Sequence, residues 1–215
     1  MKERYRTIFS YGEDEVIINK SRFIGYAKPV NTEDEALDFI EEIKSKHRDA
    51  THNVYAYVIG ENSNIQRFSD DGEPTGTAGI PALEVLKKEE LRNVVVVITR
   101  YFGGIKLGGG GLIRAYTKGA KIGLEAGTIV DMVLHREISF NVDYNQYGKI
   151  ENFLMTNNYI TNNVIFGSSV EISLYIKVGE LEKFKKDITN LTNGDSIIEE
   201  LENKYLPILN GRRLA

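Results

Sequence analysis

The chain contains no cysteine and no tryptophan, and only four of its 215 residues are proline. Without cysteine, disulfides, thiolate metal sites and cysteine nucleophiles are excluded. No segment approaches the roughly 18 consecutive apolar residues of a membrane span, and the opening MKERYRTIFS lacks the apolar core of a secretion signal. Together these absences point to a cytoplasmic protein with no membrane partner. One further absence is local. Glu90 is followed by no acidic residue until Glu125, while the same stretch carries Arg92, Arg100, Lys106, Arg114, Lys118 and Lys121. Within a chain of net charge −4 this is a segment of charge +6. For binding an anion, local sign matters more than the total.

What the chain does have is an ordinary globular balance, 41% hydrophobic and 27% charged, and enough length to bury a sizeable core. The first half alternates strand and helix signals. EVIINKSRFIGYAKPV reads as an extended pair or one bent strand. TEDEALDFIEEIKSKH reads as a helix with Thr32 as N-cap, Glu35 at the capping-box position, and Ala36, Leu37, Ile40 and Ile43 as its apolar stripe. NVYAYVIG and IQRFSDDG are strands joined by ENSN, and TAGIPALEVLKKEE is a helix capped by Thr75 or Thr77 with Pro81 in its first turn. NVVVVITRYF has the composition of a strand covered on both faces. After AGTIVDMV the remainder gives the order βαββαβ, the ferredoxin-like split βαβ unit. The expected class is therefore α+β in two domains, 1–130 and 131–215.

Residues 100–121, RYFGGIKLGGGGLIRAYTKGAK, place glycines at 103, 104 and 108 to 111, just ahead of a helix expected over 110–126. Glycine lets a backbone approach another group closely, and a helix N-terminus presents N–H groups and the positive end of a dipole. On a helical wheel Ile113, Tyr116, Thr117, Ala120 and Leu124 cluster within about 50° as the apolar face. Arg114, Lys118 and Lys121 share one flank at about 80 to 140° from it. The candidate anion site is Arg100, Gly103, Gly104, Lys106, Gly108, Gly109, Gly110, Gly111, Arg114, Lys118 and Lys121. Five phosphate contacts from its cations imply a log–log salt slope of roughly −3.5 to −4.5. Tyr101, Phe102 and Tyr116 are candidates to stack on an unpaired base, with core packing favoured for Phe102. The stretch is neither a Walker loop nor a GxGxxG fingerprint, and a plain strand-to-helix crossover explains glycines equally well.

FSDDGEPTGTAG concentrates Asp70, Asp71 and Glu73. These carboxylates suit Mg²⁺, or pairing with Arg100 and Arg114, or simple turn chemistry ahead of a helix. Among the histidines, His52 precedes a strand and reads as structural, and His47 and His135 carry no signal. No nucleophile elbow and no HExxH occurs, so spacing assembles no catalytic constellation, and no cofactor is implied beyond that Mg²⁺.

From about Ser21 to Leu124 the chain resembles the Impact/YigZ family. The segments SRFIGYAKPV, SDDGEPTGTAG, TRYFGG, KLGGGGL and RAY match in order and spacing. The resemblance implies an N-terminal domain with the fold of the second domain of a small-subunit ribosomal protein, shared with domain IV of elongation factor G. It implies a small ferredoxin-like C-terminal domain similar to the last domain of that translocase. Eukaryotic relatives carry an extra N-terminal module and regulate translation in amino-acid starvation by competing for an activator of an initiation-factor kinase. The shared region begins near residue 20 here, so that partner is not carried over. The leading expectation is a non-enzymatic protein that binds RNA or the ribosome in translation regulation. A metal-dependent phosphate-ester hydrolase or transferase using Asp70, Asp71 and Glu73 is the second reading. An adaptor for a translation-related protein is the third.

Overall fold

Five branched apolar residues in succession, Val94 to Ile98, need cover on both sides, and the N-terminal architecture supplies it. The computed structural model describes residues 2–214 and divides into Tyr5–Asp131 and a second unit of Lys2–Arg4 with the chain from Met132 onward. In chain order the first part runs β1 (Arg4–Ile8), β2 (Gly12–Ile18), β3 (Ser21–Pro29), α1 (Glu33–Lys46), β4 (His52–Ile59), β5 (Ile65–Ser69), α2 (Gly79–Lys88), β6 (Val94–Tyr101) and α3 (Gly108–Ala126). Its sheet has the order β2-β3-β6-β4-β5 with antiparallel neighbours throughout, so β6 is central. Alternation along β6 divides the run between two cores. Val94, Val96 and Ile98 pack with residues of α2 and α3, and Val95 and Val97 with Phe39, Ile40 and Ile43 of α1. Double-sided burial thus arises here in an antiparallel sheet.

Local chemistry accounts for most boundaries. β2 and β3 form a hairpin whose two turn residues, Asn19 and Lys20, have φ of 45° and 64°, the signature of a type I′ turn. α1 starts where the Thr32 hydroxyl accepts the Glu35 amide at 3.2 Å, and the Glu35 carboxylate reaches back to the Asn31 amide at 2.6 Å. Its buried stripe is Ala36, Phe39, Ile40 and Ile43, whereas Leu37, expected inside, is exposed. α2 begins at Gly79 with Ala78 in the cap position, so neither Thr75 nor Thr77 caps it. The hydroxyl of Thr77 turns instead to the Pro74 carbonyl at 2.7 Å.

α3 is held against the sheet by glycine. A Cβ on Gly25 of β3 would stand 1.9 Å from the Gly119 carbonyl oxygen, and one on Gly123 would stand 2.8 Å from the Gly25 carbonyl carbon. Here helix backbone rests directly on strand backbone. That contact rotates the helix relative to the expected wheel. The buried face is Leu112, Ala115, Tyr116, Gly119, Ala120, Gly123 and Leu124, and Ile113 is 43% exposed. A wheel drawn from large side chains gave glycine no weight and so misplaced the face.

The second unit comprises β7 (Ile129–Val142), α4 (Tyr144–Thr156), β8 (Ile160–Phe166), β9 (Val170–Lys177), α5 (Leu181–Thr192), β10 (Ile198–Leu209) and β11 (Arg212–Arg213). Its strand order β11-β10-β7-β9-β8 contains the ferredoxin-like arrangement, with the first and third strands of the βαββαβ motif side by side at the centre. Phe140, Ile150, Leu154, Ile172, Phe184 and Ile188 fill the space under α4 and α5. α5 ends at Asn193 in the left-handed conformation, φ 55°, followed by Gly194 at φ 84°. Among the described residues no helix is long and apolar enough to cross a membrane.

Candidate functional site

Strand register builds the floor of the site. In the antiparallel pairs, Arg100 of β6 lies opposite Phe23 of β3 and opposite His52 of β4. Residues directly opposite share a sheet face, so the three form a row on the side covered by α3. The Arg100 guanidinium carbon sits 5.4 Å from the centroid of Phe23 and 5.4 Å from that of Phe102. Arg100 is only 6% exposed, and its Nη1 donates to the buried Glu73 carboxylate. The Tyr116 hydroxyl donates to the same Glu73 oxygen at 2.8 Å. Burial, reinforced by the adjacent carboxylate, pushes the Tyr116 phenol up, so it remains a donor. His52 Nδ1 lies 2.8 Å from the Asp71 carbonyl, which only accepts, so that nitrogen carries the proton and Nε2 faces Glu73 at 3.7 Å.

The acidic turn splits into three separate tasks. Asp70 accepts the amides of Gly76, Ala78 and Gly79 at 2.8, 3.0 and 2.8 Å, which makes it the distant cap of α2. Asp71 accepts the Asn53 amide at 2.6 Å and lies 3.5 Å from Lys44 Nζ. Glu73 is committed to Arg100 and Tyr116. Among the described residues no group of three or more His, Asp or Glu side chains is placed to hold a metal ion. The expected Asp70, Asp71 and Glu73 cluster therefore does not converge, because each carboxylate serves a different stretch of backbone or cation.

The mouth of α3 lies beside this row. The helix starts two residues earlier than the sequence suggested, so Gly108 to Gly111 form its first turn. Leu107 occupies the cap position without a side-chain hydrogen bond, and the first turn contains no acidic residue. Gly108 has φ of 69°, and Gly103 must be bare because a Cβ there would lie 2.0 Å from the Lys20 carbonyl oxygen. Gly109 is different. A Cβ there would find its nearest neighbour, Thr77 Cγ2, at 3.9 Å, so the fold itself does not require glycine. A glycine within a helix costs about 1 kcal/mol relative to alanine.

The cations divide into an inner and an outer set. Arg100, expected to face an anion from solvent, is inside and paired with Glu73; Arg92 is also buried, its guanidinium 4.0 Å from the ring centroid of Tyr5. Lys106, Arg114 and Lys118 are exposed. Lys121 is half-buried and lines a groove of about 360 Å³ between α2 and α3, with Ile80, Pro81, Val85, Ile113 and Thr117. The aromatic expectations reverse: Tyr116 is wholly buried, and Phe102 is 45% exposed. Phe102, Lys106, Gly108, Gly109, His52, Glu73 and Arg100 line one cavity of about 420 Å³. Sequence reasoning missed this cavity and the part His52 plays in it, since β4–β6 register and the turn at Asp71 assemble it from distant segments. Arg100 Nε is buried and has no hydrogen-bond partner among the described residues.

Comparison with known proteins follows the same division of the chain. Residues 19–124 match the Impact N-terminal domain, and residues 140–195 match a domain of unknown function, DUF1949. IMPACT family member YvyE of Bacillus subtilis is 48% identical over 206 residues, covering 96% of this chain and 95% of that protein. An IMPACT family member encoded in the pol 5′ region of Thermus thermophilus is 37% identical, covering 85% of this chain and 99% of its own length. A crystal structure described as a hypothetical protein superposes with a TM-score of 0.59 at 29% identity, covering 94% of this chain and 99% of that one.

Proposed function

The chain belongs to the IMPACT family, and from that premise we propose that it binds structured RNA in support of translation regulation, holding phosphates along the outer flank of α3. One observation carries the reading. Lys106, Arg114 and Lys118 are exposed with no ion-pair partner among the described residues, beside a helix N-terminus that has neither cap nor acid. Their ammonium and guanidinium heads and the first-turn amides together suit phosphate oxygens. Such contacts position a protein without reading sequence, and A-form RNA is recognised largely by shape and backbone. The metal-dependent hydrolase reading loses support because its three carboxylates are each engaged elsewhere.

With Arg100 internal and Lys121 in the groove, three cations remain, and the expected log–log salt slope falls to about −2 to −3. Titration of a labelled RNA hairpin over a salt series tests this, with Arg114→Glu/Lys118→Glu as the comparison. The reading requires a weaker and flatter response in the variant. Equal binding by both proteins, or binding indifferent to salt, removes the flank as the interface. An adaptor role draws on the apolar groove between α2 and α3; it calls for a protein that co-purifies after nuclease treatment.

A further inference from the structure

The geometry points to a second use of the α3 mouth: the recess beside it seats the phosphomonoester of a single nucleotide, either a free mononucleotide or the 5′ end of an RNA. The inference rests on the phosphate-binding reading above and adds the class of group that enters the recess.

Shape is the first argument. A chain that continues in both directions lies across a surface, whereas only an end or a single nucleotide can enter a recess. At about 420 Å³ the cavity falls within the range of small-ligand sites. Two cations line it, Arg100 and Lys106, together with one carboxylate, Glu73, that is already engaged by Arg100 and Tyr116. Arg100, 6% exposed, lines the cavity and directs its one side-chain hydrogen bond among the described residues to Glu73, so its positive charge stands beside the recess on a fixed side chain. Lys106, exposed and without an ion pair among the described residues, lines the same cavity with Gly108 and Gly109. Guanidinium, ammonium and backbone N–H groups are the donors that phosphate selects.

Gly109 supplies an independent argument. The fold has room for a Cβ at this position, so the missing side chain leaves space for something other than the protein. A group arriving against the first-turn amides needs that room. Phe102 then fits the organic part of the ligand. One side of its ring is engaged by the Arg100 guanidinium, and 45% of the residue stays exposed at the cavity rim, where a base can stack. In this arrangement Glu73 is a positioning residue: with Tyr116 it holds Arg100 against the wall.

The test uses the full chain with four probes: adenosine 5′-monophosphate, inorganic phosphate, and one short RNA oligonucleotide bearing either a 5′-phosphate or a 5′-hydroxyl. The phosphorylated RNA is expected to bind at least about tenfold more tightly than its hydroxyl twin, the loss usual when a charge-assisted hydrogen bond disappears. If adenosine monophosphate binds as tightly as the phosphorylated RNA, the ligand is the free nucleotide; if it binds far more weakly but still ahead of inorganic phosphate, the ligand is the RNA end. Gly109→Ala should abolish the preference while leaving the melting temperature unchanged or higher, which a merely structural glycine would not do. Arg100→Lys, which keeps the charge, should reduce the preference as well. Equal affinity for the two RNAs together with no binding of adenosine monophosphate overturns the inference. A hairpin with a 5′-hydroxyl reports the outer flank alone, so failure there strikes the RNA-backbone reading and not this one.

Discussion

Replacing Glu73 with methionine removes the carboxylate paired with Arg100, the only one among the described residues, and deprives Tyr116 of its acceptor. Glu73 and Arg100 have side chains only 4% and 7% exposed, so the guanidinium left behind is an uncompensated charge in the wall of the core. Breaking one side of a buried pair costs about 3–5 kcal/mol. The Arg100 side chain keeps a residual exposure of 7%, which places the cost near the lower bound, about 3 kcal/mol. For a chain of this length that corresponds to a fall of roughly 6–12 °C in melting temperature. Arg100→Met alone should lose a similar amount, by stranding the carboxylate. The double variant Glu73→Met/Arg100→Met should recover to within about 1–2 kcal/mol of the parent, the remainder being the Tyr116 hydroxyl without a partner. Urea unfolding followed by circular dichroism measures all four proteins, with a shared m-value as the check on comparability. The reasoning predicts a coupling energy above about 2 kcal/mol. If the two single losses simply add, the pair does not hold this wall together.

Three further outcomes follow from other parts of the molecule. Gly25→Ala drives a Cβ to within 1.9 Å of the Gly119 carbonyl oxygen, a backbone atom that cannot swing away, and should cost about 3 kcal/mol or more in the same unfolding assay; parental stability would mean that α3 does not rest on β3 as described. Asp70→Ala leaves three amides at the start of α2 without their acceptor and should cost about 2 kcal/mol, largely restored by Asn. His47 is buried and 2.6 Å from the Tyr26 hydroxyl and 2.8 Å from that of Tyr101, and burial, aided by Lys46, lowers its pKa. The unfolded chain therefore takes up the proton first, so this contribution is complete above about pH 6.5 and declines as pH falls through the lower folded value. His47→Gln should show a flatter dependence of stability on pH over that window, and an unchanged dependence would assign the slope elsewhere.

Where one short window carried the whole cause, sequence foretold structure. The capping box at Thr32 and Glu35, the buried run Val94 to Ile98 and the βαββαβ order all depend on residues near each other in the chain, and of the two readings of EVIINKSRFIGYAKPV, an extended pair or one bent strand, the pair is the one found. Misplacements arose where the cause was remote. Asp70, from a preceding turn, caps α2 in place of the nearby threonines. Ile113 faces outward because a glycine contact with β3, about a hundred residues earlier, sets the rotation of α3. The cations of the outer flank could be named from helical spacing. The Glu73, Arg100 and His52 grouping could not, since it needs the register of β4 on β6 and the position of a turn above them. β1 carried too short a signal to be expected at all.

The glycine contacts of α3 make its two ends mechanically unlike. Toward the C-terminus, Gly119 and Gly123 press main chain on main chain, with no rotamer available to absorb a push. At the N-terminus, a Cβ on Gly108 would meet nothing within 4 Å and one on Gly109 only Thr77 Cγ2 at 3.9 Å. The helix is tightly fitted at its root and roomy at its tip. A Cβ added at the root meets main chain and should register as lost stability, while one added at Gly109 meets only ordinary contact, so under the proposed phosphate binding the two properties can be tuned separately along a single element.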